Sequence, residues 1–95
     1  MIKKFADLET ELIWSGIRSR KLPSDIQNVA LRKLRLLNQA RCLNDMRIPL
    51  GNRLEALKGD RLGQYSIRIN NQWRICFTWM EEGGRSNVEI IDYHE

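Results

Sequence analysis

The stretch QYSIRINNQWRICFTW constrains the fold of this chain more than any other. Tyr65, Ile67 and Ile69 alternate with Ser66, Arg68 and Asn70. After a polar break, Trp73, Ile75, Phe77 and Trp79 alternate with Arg74, Cys76 and Thr78. A period of two sends successive side chains to opposite faces of a strand, so the stretch reads as a β-hairpin. Directly opposed residues share a face, and the large apolar groups belong together on the face that helices cover. A two-residue loop at Asn70-Asn71 would oppose Arg68 to Trp73 and mix the faces. A three-residue loop, Asn70-Asn71-Gln72, opposes Ile69 to Trp73 and Arg68 to Arg74. Asn tolerates the left-handed backbone such a loop needs.

This register sets two guanidiniums opposite each other on the uncovered face, where like charges are destabilising. A neighbouring carboxylate, open water or a bound anion must offset the repulsion. Arginine suits a phosphate, because its planar fork holds two oxygens at once. The plain alternative is two solvated arginines on an exposed face.

The rest of the chain supplies helices first and strands afterwards. Residues 2–5 read as a short strand. Asp7 resembles an N-cap, Leu8, Leu12 and Ile13 fall on one helical face, and Gly16 can end that helix. SRKLP is a basic linker. Ser24 and Gln27 form a capping-box pattern, followed by Ile26, Val29 or Ala30, Leu34 and Leu37 on one stripe. Arg32, Lys33 and Arg35 lie off that stripe, facing water or a ligand. Residues 39–53 read as an irregular connection broken by Pro49 and Gly51. LEAL is a candidate strand, GDRLG a turn, and NVEIIDY a last strand after the turn EEGGRS. The expectation is an α+β fold, a single domain over residues 1–95, with two helices packed on one face of a small antiparallel sheet.

Composition excludes several classes. No stretch approaches the ~20 apolar residues of a membrane span, and no apolar run follows the N-terminal lysines as in a signal peptide. Cys42 and Cys76 sit in apolar surroundings and read as buried, reduced thiols of a cytoplasmic protein. Two distant cysteines and one histidine do not make a zinc site, and no cofactor is implied.

The net charge is +4, but it is unevenly distributed. From Arg18 to Arg74 there are thirteen lysines and arginines against four acids, a net +9, while the ends together carry −5. A basic middle points to a polyanionic partner, most often nucleic acid, or serves merely to solubilise the chain. The last residues are Asp92, Tyr93, His94 and Glu95. Termini fray unless something ties them down. If the last strand pairs with WRICFTW, residues 92–94 lie near Arg74. A proton-transferring tail beside a phosphate-gripping arginine has the parts of a metal-independent ribonuclease. The 2′-OH of RNA is then the nucleophile, and the protein orients it, neutralises the phosphate and moves two protons. Histidine suits such transfer near neutral pH. Trp73 and Trp79 read as core; Tyr93 is the best stacking candidate.

Residues 51–79, GNRLEALKGDRLGQYSIRINNQWRICFTW, together with VEIIDYH, closely resemble the HigB toxins of the RelE/ParE toxin–antitoxin superfamily, also labelled plasmid maintenance killer proteins. The similarity extends through FADLETELIW and VALRKLRLLNQA. It implies a RelE-like fold and an mRNA interferase that enters the ribosomal A site, cleaves the message there and so inhibits translation. It also implies a HigA-type helix-turn-helix antitoxin, forming with the toxin a heterotetramer that binds operator DNA. By position, Arg74 matches the family's phosphate-gripping arginine. Asp92, Tyr93 and His94 match its C-terminal active-site residues, and Lys58 a basic residue near the RNA. Glu55 stands where some relatives carry histidine, and a Glu55–His94 pair is a candidate acid–base couple. Arg68, Lys58, Arg53, Arg61, Arg32, Lys33 and Arg35 are the expected RNA- and ribosome-binding set.

Two rivals share the basic middle. One is a ParE-like toxin that inhibits DNA gyrase by binding alone. The other is a small, non-toxic nucleic-acid-binding protein. The acid–base tail and the paired arginines favour cleavage.

Overall fold

A computed structural model describes residues 1–80 and 82–93. Two α-helices, α1 (Leu8–Trp14) and α2 (Ser24–Gln39), precede four strands: β1 (Glu55–Ala56), β2 (Gln64–Arg68), β3 (Trp73–Trp79) and β4 (Arg85–Asp92). The strands form one antiparallel sheet in the order β1-β2-β3-β4. The fold is therefore α+β, with the helices ahead of a strand meander as the change of period implied.

The hairpin takes the register its faces require. Ile67 opposes Ile75, Arg68 opposes Arg74, and the Ile69 N–H donates to the Trp73 carbonyl at 2.8 Å across the three-residue loop. The Asn70 side chain accepts from the backbone N–H groups of Gln72 and Trp73, which holds that loop closed. Ile67, Ile75 and Phe77 meet Ile26, Ala30, Leu34 and Leu37 of α2 in the core, with Trp73 and Trp79 packed against it.

Residues 2–5 make two isolated parallel bridges rather than a continuous strand, Ile2 with Arg85 and Phe5 with Val88. The cause lies in β4, where Asn87 takes a left-handed backbone (φ 53) beside a break in the β3–β4 register. The extra residue of such a bulge interrupts regular pairing. Lys3 and Ala6 still donate to the carbonyls of Arg85 and Val88, so the outer edge of β4 is covered.

Four local expectations fail for identifiable reasons. In α1 the inward residues are Thr10 and Ile13, whereas Leu8 is exposed and Leu12 only half-buried. The Thr10 hydroxyl accepts the Ile90 N–H at 2.9 Å, which turns that face of the helix onto β4. Ser24 is not a cap: Pro23 holds the N-cap position without a side-chain bond. Gln27 instead accepts from the Ser19 N–H and donates to the carbonyls of Ser19 and Leu22, satisfying a buried linker. Lys33 is buried, its Nζ donating to the Arg68 carbonyl at 2.5 Å. Cys42 is exposed, with its Sγ on Asp45, and only Cys76 is buried; both thiols are free.

The face of the sheet away from the helices is not open either. Ser66 and Cys76 are fully buried and Arg74 is 6% exposed. The irregular connection, which includes short 3₁₀ turns at Leu43–Arg47 and Leu50–Asn52, brings the backbone of Arg53 against Arg74. An ion pair between Arg61 and Glu89 at 2.7 Å closes over the row that contains Cys76.

Candidate active site

The strand register assembles the site. Glu55 opposes Ser66, Ser66 opposes Cys76, and Cys76 opposes Glu89, a single row across all four strands. Opposed residues share a face, so Glu55 lies on the face that carries Arg74. The next row is Arg68, Arg74 and Ile91.

Arg74 is held from several sides. Its Nε donates to Ser66 Oγ at 2.7 Å, and its Nη2 donates to the Arg53 carbonyl at 2.6 Å and the Ser66 carbonyl at 3.2 Å. The Arg53 carbonyl is aimed inward by a left-handed backbone at that residue (φ 46, ψ 58), a conformation unusual for a side chain with a Cβ. Glu55 Oε2 lies 3.8 Å from Nη2. The Tyr93 ring stands over the guanidinium, 5.2 Å from Cζ, and Tyr93 Oη donates to Glu55 Oε1 at 3.0 Å. Glu55, Arg74 and Tyr93 therefore form one closed cluster.

The tail is tied down as far as Tyr93, as the pairing of β4 with β3 required. The Tyr93 N–H donates to the Gln72 carbonyl at 2.7 Å. Asp92 opposes Trp73, and its Oδ2 accepts from Gln72 Nε2 at 3.2 Å. His94 lies outside the described residues. Beside the cluster opens a cleft of about 580 Å³, lined by Glu55, Leu57, Lys58, Arg61, Asp92 and Tyr93 among others.

The two opposed arginines diverge. Arg74 turns into the protein, next to a carboxylate, while Arg68 bonds the Asn71 side chain in the hairpin loop. The neighbouring carboxylate that could offset the repulsion is Glu55. Of the remaining basic residues, Lys58 is exposed on the cleft, and Arg32, Arg35 and Arg53 are exposed. Arg61 is engaged by Glu89 and Gln64, and the Glu89 hydrogen bond raises its pKa. Burial lowers the pKa of Lys33, and Arg32, Arg68 and Arg74 lower it further. Burial pushes the Cys76 thiol up to about 11. Among the described residues no cluster of His, Cys, Asp and Glu could hold a metal ion, and no helix is long and apolar enough to cross a membrane.

Reading the sequence for charged and aromatic groups passed over Ser66, the residue that holds Arg74. Its signal was present: a small hydroxyl on the same strand face as two arginines. Gln72, which ties down the tail, was read only as loop.

A family profile described as the RelE-like toxin of the type II toxin–antitoxin system HigB matches residues 3–94. The chain is 47% identical over 64 residues to Toxin HigB-1 of Vibrio cholerae serotype O1, covering 67% of each chain. It is 35% identical over 79 residues to an uncharacterized protein of Haemophilus influenzae, covering 83% of this chain and 76% of that one. Among solved structures, the YoeB-YefM complex from Staphylococcus aureus superposes with a TM-score of 0.57 at 20% identity, covering 100% of this chain and 97% of that one. That likeness concerns the fold.

Proposed function

This chain belongs to the HigB family of RelE-like type II toxins, and from that premise we propose that it is a ribosome-dependent endoribonuclease that cuts messenger RNA in the A site. The observation that carries the reading is the convergence of Arg74, Glu55 and Tyr93 beside a cleft. A buried cation, a carboxylate in contact with it and an aromatic ring over it match the needs of phosphodiester cleavage through the 2′-OH.

In this reading the scissile phosphate sits against Arg74, whose charge meets the charge developing on its oxygens. Glu55 takes the proton of the 2′-OH as the 2′ oxygen forms its bond to phosphorus. The bond from phosphorus to the 5′ oxygen breaks, and that oxygen takes a proton from the tail, where His94 follows Tyr93. The products are a 2′,3′-cyclic phosphate and a 5′-hydroxyl. Asp92 and Tyr93 hold the nucleotide, with Tyr93 giving up its bond to Glu55 to stack on a base. Lys58, Arg53 and Arg68 run along the flanking RNA, and Arg32 and Arg35 meet ribosomal RNA. Lys33 serves from inside, through the Arg68 carbonyl, and Arg61, paired with Glu89, lines the cleft. The toxin acts in the cytoplasm and is held in check by a HigA-type helix-turn-helix antitoxin, with which it forms a heterotetramer on operator DNA.

The test is a programmed ribosome whose message carries one 2′-deoxy nucleotide at the cleaved position. The ribonucleotide message is cut there in excess EDTA, once ribosomal magnesium is accounted for, and the deoxy message is not. Cleavage of the deoxy message at the same bond would remove the 2′-OH as nucleophile.

A further inference from the structure

We propose that Ser66 is the positioning residue for Arg74, and that it decides which nitrogen of the guanidinium meets the phosphate. The inference rests on the reading of this cleft as an RNA-cleaving site. A guanidinium offers two edges for two-point contact: a side edge formed by Nε and Nη2, and an end edge formed by Nη1 and Nη2. Here one residue occupies the whole side edge. Ser66 accepts from Nε through its hydroxyl and from Nη2 through its carbonyl. The other Nη2 hydrogen goes to the Arg53 carbonyl. Among the described residues, none accepts a hydrogen bond from Nη1. Both Nη2 hydrogens are thus taken, and the phosphate is met by Nη1 alone.

The placement of the serine supports this role. Ser66 is fully buried in the centre of the sheet, between Glu55 on β1 and Cys76 on β3. A buried hydroxyl costs stability unless it is hydrogen-bonded, and its bond with Arg74 Nε is the one its side chain makes among the described residues. Packing alone would be served as well by alanine. The hydroxyl keeps the long, flexible arginine in one rotamer, with its free nitrogen pre-set, so that its ordering does not have to accompany substrate binding.

A double-mutant cycle read by single-turnover cleavage on programmed ribosomes tests this. With saturating toxin, Ser66→Ala slows cleavage by about 10- to 100-fold, as a misplaced reacting group does, while ribosome affinity and the amide spectrum are kept. Lysine has no Nε–H to hold, so in an Arg74→Lys background Ser66→Ala changes the rate by less than about twofold. A structural serine would behave otherwise: Ser66→Ala would slow both backgrounds alike, and that result, or an unchanged Ser66→Ala rate, overturns the proposal. A second readout is independent of activity. In protein labelled with ¹⁵N-arginine, the Arg74 Nε–H exchanges slowly with solvent, and Ser66→Ala makes it fast. If the wild-type protein cuts no message, the ribonuclease reading fails on its own. The exchange measurement still decides whether Ser66 holds Arg74, and unchanged exchange in Ser66→Ala rejects it.

Discussion

Arg74 illustrates how much a single residue's role depends on what covers it. Alternation along β3 places it on the face opposite Ile75, which suggests an exposed side chain with little packing, but the structure buries it under Arg53, Glu55 and Tyr93. Substitution should then affect two properties together. Arg74→Ala leaves Ser66 Oγ and two carbonyls without their donor, so it abolishes cleavage and also destabilises the fold by about 1–3 kcal/mol. Thermal melting beside the cleavage assay checks the pair of effects, and an unchanged melting temperature would contradict the burial. Glu55→Gln should separate them, because the amide oxygen still accepts from Tyr93 but takes no proton: cleavage slows by about 10²–10⁴-fold with the melting temperature nearly unchanged. The cysteines give a pH test. Burial raises the Cys76 pKa from 9.0 to about 11. The unfolded thiol then loses its proton first as pH rises, so the contribution to stability is complete below pH 9 and is lost on the way to pH 11. Cys76→Val should flatten the pH dependence of the melting temperature across that interval. In the native protein a thiol reagent at neutral pH should modify Cys42 quickly and Cys76 only on unfolding.

At the scale of the elements, α1 is tied to β4 by one buried bond, from the Ile90 N–H to the Thr10 hydroxyl. Thr10→Val keeps the shape and orphans that donor, so it should lower stability by about 1–3 kcal/mol; a calorimetric scan that shows no loss would mean water or a shift of α1 satisfies the N–H. This bond also marks where sequence reading stops. The hairpin register was legible because two alternating runs and one loop length admit a single arrangement that sorts the faces. The α2 stripe was legible for the same reason, at helical period. The inward turn of Thr10 was not, because a seven-residue helix carries too few apolar positions to fix its rotation. The SDIQ pattern misled, because the buried backbone of Ser19 and Leu22 competes for Gln27. The covered second face was not visible at all, since nothing local says where the connection through Arg53 will lie. Within the site, Arg74, Asp92 and Tyr93 could be named from the chain and Glu55 from its resemblance to the HigB toxins, but Ser66 was passed over because a small hydroxyl does not show, in the sequence, that it will be buried against a guanidinium.

For the whole molecule, the +9 central span leaves Arg32, Arg35, Arg53 and Lys58 exposed, while Lys33 is engaged internally and Arg61 is paired with Glu89. Ribosome affinity should fall steeply with salt, as counterion release dictates. Changing Arg32 and Arg35 to Gln should reduce the slope of log affinity against log salt by about one for each phosphate that is no longer neutralised. The same double change leaves the cut site and the melting temperature in place. A salt slope equal to wild type would show that α2 does not face the ribosome.

The covering of the β4 edge by residues 2–5 has a kinetic meaning. The bonds that hold the N-terminal segment and α1 on β4, Lys3 to Arg85 and Thr10 to Ile90, join parts of the chain some eighty residues apart. Pairings of such long sequence separation are slow to form, because the loop entropy is lost before any interaction repays it. The helices and the β2–β3–β4 meander, which carries Arg74, Gln72 and Tyr93, are local and form early. The slowest folding phase should therefore be the docking of residues 1–10 on β4: in a refolding experiment helical circular dichroism recovers first, and the amides of Arg85, Val88 and Ile90, whose partners are Met1, Lys4 and Thr10, gain exchange protection last. Until that docking is complete, β4 presents an unpaired edge on which another chain could add a strand.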